Sequence, residues 1–226
     1  MITRRSCLGL VAVALTVGRL AGQASEVVLT RPGQIVITAI SGEAQVSAAG
    51  QRRAAKVEDR VKVDSVVTTG RRSLATLVFS NGVVAELGPE SEVEIEELLQ
   101  APFAAVGKPE AMTEEPSLSR TRVRLLRGEV RLAAKPLKVA RGSAFVVVVP
   151  AGEVRLDEGA LQASVRMSDV GLGVCAIELQ RGTAQFERAG GAAAEKLNPG
   201  RRLTLAVEIA RAGGEVKVSE MPPAKE

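Results

Sequence analysis

The segment 67–96 reads VTTGRRSLATLVFSNGVVAELGPESEVEIE, and it decides the fold. Apolar residues recur at every second position in short runs such as 74–79 and 92–96, which is the period of a β-strand with one buried face. Asn81-Gly82 stands between two of these runs. Because both residues accept the positive φ angles of the tight primed turns, this pair predicts a β-hairpin.

The same alternation extends along most of the chain, for example over 34–37, 122–125 and 201–207. The run 144–149 is apolar on both faces and is ended by Pro150, which predicts a central strand. We expect an all-β fold of two stacked sheets of short strands. A β-sandwich and an irregular β-solenoid-like stack use the same alternation, so both arrangements are open.

A short unit recurs in which a glycine and one further residue precede an apolar-polar-apolar triplet. It begins at Gly42, Gly128, Gly152 and Gly182. Each glycine is expected to lie in a turn and to start a strand with one inward face. The unequal spacing of the four units is not that of a strict solenoid repeat.

The domain organisation follows from changes in composition. We expect a signal peptide over 1–24, an N-terminal β half over 25–99 and a C-terminal β half over 120–211. Three prolines and a glycine interrupt the pattern within 100–119, which predicts a long loop between the halves. We expect this loop to be removable without loss of folding, and the segment 212–226 to be a tail with little core signal.

The N-terminus has the features of a secretory signal peptide. Arg4 and Arg5 precede the apolar run 8–17, and cleavage is expected between Ala24 and Ser25. The apolar run is about half of the ~20 residues that a spanning helix needs. We therefore expect export to the periplasm or the cell exterior and no membrane span after cleavage. The general and twin-arginine export routes are both open.

The composition excludes several classes of function. The sequence has no His, Trp or Tyr and only four Phe. Without histidine, Ser-His-Asp and Cys-His nucleophile systems cannot be built, and the common zinc and iron ligand sets lose their main member. Four scattered Phe do not form a stacking platform for sugars or single strands. We expect no enzymatic activity, no cofactor and no metal.

The charge balance argues against nucleic acid as a partner. Lys and Arg total 30, and Asp and Glu total 26. Three of the basic residues lie in 1–24, so cleavage leaves a nearly neutral protein without the excess of positive charge that phosphate binding needs.

Cys175 is the one cysteine after cleavage, which excludes an intramolecular disulfide. Its alternation with Ile177 and Leu179 predicts a buried thiol.

The acidic run near residue 92 does not predict a catalytic carboxylate pair. Glu92, Glu94 and Glu96 alternate with Val93 and Ile95. This pattern places the three carboxylates together on the solvent face of one strand. We expect a solvated strand edge there.

The turn residues that follow one another along the chain are Thr68, Gly70, Ser73, Asn81, Gly82, Gly88, Pro89, Ser91 and Gly128. Their order resembles that of a FecR domain, the exported β module named after the regulator of ferric citrate uptake. The resemblance covers about 57–156 and extends to Leu205. It departs from the family after Leu156, where Asp157-Glu158 stands instead of a glycine-threonine pair.

The resemblance implies an exported, non-enzymatic protein that binds or scaffolds an envelope protein or polymer. An envelope carrier of lipid or lipopolysaccharide, with two gaping sheets that expose an apolar lining, is the alternative. A less favoured hypothesis is a sigma-factor regulator of iron uptake, but we expect the seven residues before the apolar run to be too few for the cytoplasmic domain of such a regulator. The sequence leaves the partner and the oligomeric state open.

Overall fold

A computed structural model describes residues 29, 32–103, 112–191, 193–209 and 216–222. The signal peptide and its cleavage site lie outside these ranges. The described residues form fifteen strands and a single 3-10 turn, which confirms the predicted all-β class.

The strands are numbered in chain order, and the 3-10 turn Val139–Arg141 precedes β10. Their bounds are β1 (Ile35–Ser41), β2 (Ala44–Ala48), β3 (Gln51–Ala54), β4 (Arg60–Val61), β5 (Ser65–Thr69), β6 (Leu74–Phe79), β7 (Val84–Leu87), β8 (Glu92–Gln100), β9 (Ser119–Ala134), β10 (Ala144–Val149), β11 (Gly152–Met167), β12 (Leu172–Arg188), β13 (Glu195–Lys196), β14 (Arg202–Ile209) and β15 (Val216–Glu220).

The strands form two stacked layers that belong to one continuous hydrogen-bonded sheet. The first layer has the order β3-β2-β5-β8-β9-β10-β11-β12-β13, and the second has the order β4-β1-β6-β7-β9-β11-β12-β14-β15. The long strands β9, β11 and β12 contribute to both layers. Phe79 of the second layer and Phe145 of the first meet edge to face, with ring centroids 5.7 Å apart. The two layers therefore share one core.

Each long strand bends where it passes from one layer to the other. Before Gly128, β9 pairs with β8 and with β10, and after it β9 pairs with β7 and β11. Gly128 has a φ of 84° and Gly182 of β12 a φ of 98°, a region that side chains with a Cβ rarely adopt. Both glycines lie inside continuous strands, whereas the sequence pattern predicts turns at these positions.

The space between the layers is filled by side chains. Inward residues of both layers form one cluster, in which Ile37, Val67 and Leu205 have no exposed surface. Cys175 is buried in this cluster as predicted, and burial raises the pKa of its thiol. The lipid-carrier alternative requires an exposed apolar lining between gaping sheets. Within the described residues the core between the layers is filled, and an opening lies at one end, beside Leu126.

The predicted hairpin at residues 81–82 joins β6 to β7, but its turn is not of the primed type. Only Gly82 has a positive φ, and its N–H donates to the Phe79 carbonyl. Asn81 is fully buried, and its side-chain amide donates to the hydroxyls of Ser119 and Thr121, each at 3.1 Å. The Asn81 side chain therefore points inward and is held by these hydrogen bonds. Asn81 does not adopt the positive φ that a primed turn requires.

The predicted loop 100–119 is shorter, because Gln100 ends β8 and Ser119 begins β9, and the two residues pair. Part of the connection is buried. Glu115 has no exposed surface, and its carboxylate accepts hydrogen bonds from the Ser119 hydroxyl and the Lys138 N–H. These contacts oppose the expectation that 100–119 can be removed without loss of folding. In the predicted tail, β15 pairs with β14.

Candidate functional site

Most of the family-like turn residues come together along one edge of the sandwich. The Ser91 hydroxyl accepts a hydrogen bond from the Glu129 N–H and donates one to the Glu129 carbonyl, each at 2.8 Å. The Gly88 N–H also donates to this carbonyl, at 2.9 Å. A Cβ on Gly128 would lie 2.4 Å from the Ser91 Cα. The Gly-Pro-x-Ser turn therefore packs directly against the bend of β9.

A matching contact lies at the β1–β2 bend. The Ser73 hydroxyl accepts a hydrogen bond from the Glu43 N–H at 2.8 Å, and a Cβ on Gly42 would lie 2.4 Å from this hydroxyl. The Gly70 N–H donates to the Glu43 carbonyl, and the Glu90 N–H donates to the Gly70 carbonyl. The two serine-glycine contacts are thus joined into one row, which we call the serine-glycine edge.

In the Thr-Gly turn, Thr69 and not Thr68 makes the contacts that hold the turn in place. Thr68 lies half-buried on the outer face of β5, opposite Glu92 in the register. Thr69 is buried instead, and its hydroxyl donates to the Gly88 carbonyl at 2.6 Å and accepts from the Ser91 N–H at 2.9 Å. The dipeptide Thr68-Thr69 does not by itself show which threonine is buried, although alternation from Val67 places Thr69 inward.

The bend of β9 opens a cleft at the end of the sandwich. The ladder between β9 and β10 ends at Arg124–Val148. The ladder between β9 and β11 begins at Gly128–Val165. Residues 125–127 therefore run between the two ladders, and the end of β10 in the first layer separates from the β11–β12 turn in the second.

This cleft has a volume of about 770 Å³ and a mainly apolar lining. The volume falls in the range of ligand pockets. Its wall includes the large apolar residues Leu126, Val149, Pro150, Met167, Val170 and Ile209. Leu126 is 36% exposed and Val170 is 52% exposed, so both offer apolar surface to a partner.

The turn that carries Val170 is held firmly in place. The Ser168 N–H and hydroxyl both donate to the Leu172 carbonyl, and the Ile209 N–H donates to the Gly171 carbonyl. A Cβ on Gly171 would lie 2.7 Å from the Ile209 carbonyl oxygen. These contacts fix the turn against β14, so that Val170 is presented on a rigid wall.

A network of ion pairs borders the cleft on the first layer. Arg122 binds both carboxylate oxygens of Glu153, at 2.9 and 2.5 Å, and also contacts Glu96 at 2.8 Å. Arg124, which lines the cleft, pairs with Glu96 and Glu94. The hydrogen bonds from Arg122 lower the pKa of Glu153 below its ordinary value.

The acidic residues of β8 lie on the outer face, as the alternation predicts, but β8 is not a sheet edge. It pairs with β5 on one side and β9 on the other. Glu92 contacts Arg127 at 2.9 Å, and Glu96 contacts Arg122 and Arg124. These carboxylates are neutralised by arginines, which is a structural arrangement and not an acid-base pair.

The sequence pattern does not predict the cleft. Val170 lies between Asp169 and Gly171, and an apolar residue at the tip of a polar turn is a signal that was available. Leu126 and Met167 carry no such signal, because their exposure depends on where the strand ladders end.

Two further structural observations bear on function. Within the described ranges, no three His, Cys, Asp or Glu side chains are grouped so as to hold a metal ion. In the same part of the chain, no helix has the length and apolar character needed to cross a bilayer.

Comparisons with known proteins give a distant structural likeness. No protein-family model matches the chain, and no curated protein matches it. Two crystal structures, at 1.65 and 2.50 Å resolution, of a "putative anti-sigma factor" from Parabacteroides distasonis ATCC 8503 are similar to it. Each has a TM-score of 0.43 and 12% identity over 69% of this chain. The chain spans 59% of the length of each solved protein.

Proposed function

We propose that this protein is an exported, non-enzymatic FecR-like β module that binds another envelope protein through the cleft at the end of the sandwich. The order of the turn residues and their assembly into the serine-glycine edge support the FecR-like part of the proposal. The observation that carries the binding role is the open apolar cleft with partly exposed Leu126 and Val170 on its walls.

The partner that fits this cleft is an apolar segment of a polypeptide. The lining is mainly aliphatic. Its two charged residues are Asp169 and Arg124, and Arg124 is already engaged with Glu94 and Glu96. A charged or sugar ligand would therefore find few free polar groups, whereas leucine, valine or methionine side chains would bury apolar surface on both partners.

The experiment compares three immobilised proteins in an extract of the source envelope: the wild type, Val170→Asp and Val57→Asp. Val57 is the matched control, because it is 51% exposed, as against 52% for Val170, and lies outside the cleft. Proteins and lipids that are retained are quantified by mass spectrometry. Unfolding of each variant is measured in parallel to show that both substitutions leave the fold intact.

The proposal predicts that one or more envelope proteins are retained by the wild type and by Val57→Asp but are lost with Val170→Asp. Equal retention by all three proteins would overturn it. Lipid or lipopolysaccharide that is lost with Val170→Asp would instead assign the cleft to the carrier function. Retention of a sigma factor by all three proteins would favour the regulator.

A further inference from the structure

A row of side chains with alternating charge crosses the outer face of the second layer. Consecutive strands β7, β9, β11, β12 and β14 place one residue each in this row, and the pairing registers put them side by side. In order, the residues are Glu86, Arg131, Gln162, Glu178 and Arg202. Their neighbours along each strand are buried, so the five side chains point outward.

The charges in this row are largely unpaired within the molecule. Arg131 contacts Glu129 at 3.0 Å. Among the described residues, the ion pairs within 4.0 Å do not include Glu86, Glu178 or Arg202. The row is therefore a set of charges that remain available to a partner.

The order of charges is complementary to itself. Read across the sheet the row is negative, positive, neutral, negative, positive, and read backwards the signs are opposite at each charged position. A two-fold axis that runs along β11 through Gln162 would place Glu86 opposite Arg202 of a second copy. It would also place Arg131 opposite Glu178 of that copy, and Gln162 opposite its own equivalent. Such a self-complementary patch is what a two-fold interface requires.

The residues beside the row permit a close approach. Ala133, Ala160 and Arg181 flank it on one side, and Glu129, Ser164, Ala176 and Thr204 flank it on the other. At the centre of the patch, the small residues Ala160 and Ser164 on either side of Gln162 let the longer charged chains of the two copies reach each other.

Arg166 would lie opposite its own equivalent, but it is four residues along β11 from Gln162. The distance along the strand from Gln162 to Arg166 is about 13 Å, and strand twist separates two packed faces that far from the axis.

We infer that this face forms a dimer with a second copy of the chain, layer against layer, held by reciprocal contacts of Arg131 with Glu178 and of Glu86 with Arg202. Four strand spacings give a row about 19 Å wide. A patch of this size is smaller than a standard stable interface, so the dimer is weak, depends on concentration and dissociates at high salt.

The test is sedimentation velocity of the mature protein over a range of concentrations at low and high salt. Arg131→Glu places like charges opposite each other and is expected to weaken dimerisation at least about tenfold. The double variant Arg131→Glu/Glu178→Arg restores opposite signs across the interface and is expected to restore the dimer. Arg120→Glu is the control, because Arg120 lies on the same strand, exposed on the outer face of the other layer.

A wild type that stays monomeric at millimolar concentration and low salt would overturn the inference. So would a dimer that Arg131→Glu and Arg120→Glu weaken equally, or one that the double variant fails to restore. Thermal unfolding of each variant separates loss of the dimer from loss of the fold.

Discussion

The Ser91 hydroxyl bridges the N–H and the carbonyl of Glu129, two groups that are 38 residues away in sequence. The contact fastens the β7–β8 turn to the point where β9 leaves the first layer for the second. This bend also ends the ladder with β10 and opens the cleft beside Leu126. A turn signature that is readable in the sequence thus stands next to the site that we propose to bind a partner.

Removal of the Ser91 hydroxyl is expected to destabilise the protein. Ser91→Ala leaves the Glu129 N–H without its partner in a partly buried setting, which costs about 1 kcal/mol or more. Ser168→Ala is the control, because its hydroxyl is exposed and bonds within its own turn. Urea unfolding measures both variants, and an equal loss in the two would contradict the role given to Ser91.

A side chain at Gly128 is expected to cost more than one at an open glycine. An alanine there adds the backbone cost of about 1–2 kcal/mol for a positive φ to an overlap with Ser91 of about 1–3 kcal/mol. Gly200 has a similar φ of 81° and open space around it. Gly200→Ala should therefore show the backbone cost alone. The difference between the two unfolding free energies isolates the contact with Ser91.

Loss of the Asn81 amide is expected to loosen the end of the sandwich opposite the serine-glycine edge. Asn81→Ala removes donors to Ser119 and Thr121 and the acceptor for the Val83 N–H. We expect a loss of about 2–3 kcal/mol, since several buried groups lose partners. Asn198→Ala, at an exposed turn, should change the unfolding free energy by less than about 0.5 kcal/mol. Equal effects would contradict the anchoring role.

The pairing of Glu153 with Arg122 makes stability depend on pH. Arg122 lowers the pKa of Glu153 in the folded state below its ordinary 4.5. The contribution of the Glu153–Arg122 pair to the free energy of unfolding is therefore complete above about pH 4.5. It is lost as the pH falls through the folded-state pKa of Glu153. Glu153→Gln should be less stable than the wild type at pH 7, by less than about 1 kcal/mol because the pair is partly exposed. The difference should vanish in acid. A constant difference from pH 7 to pH 3 would contradict this account.

Asp157 is expected to change the pH dependence of stability in the opposite direction to Glu153. Burial raises the pKa of Asp157 above 3.8, and its buried Oδ1 has no hydrogen-bond partner. The charged form is thus disfavoured by folding, so Asp157→Asn should be more stable than the wild type at pH 7. The advantage should shrink as the pH falls through the raised pKa, where the wild type becomes protonated. A variant that is less stable at pH 7 would show that the carboxylate has a favourable role.

The local pattern predicts the strands well, because the alternation over Leu74–Phe79 and the continuous apolar run over Ala144–Val149 both depend on side chains that are adjacent in sequence. It does not predict which strands share a layer. The bend at Gly128 and the parallel pairing of β9 with β10 follow from contacts between distant segments. The inward turn of Asn81 likewise depends on Ser119 and Thr121, which no local motif identifies.

The cleft could not be predicted for the same physical reason. Its opening is set by the positions at which two ladders end, Arg124–Val148 and Gly128–Val165. The local pattern predicts strands at Arg124 and Val148, but the register that aligns them is a property of the assembled sheet.

The most direct test of the binding role is photo-crosslinking in intact cells, with a benzophenone amino acid at position 170 and, separately, at position 57. The account predicts that position 170 forms a covalent adduct with an envelope protein and that position 57, with the same exposure, does not. Adducts of the same protein at the same yield from both positions, or none from position 170, would contradict it.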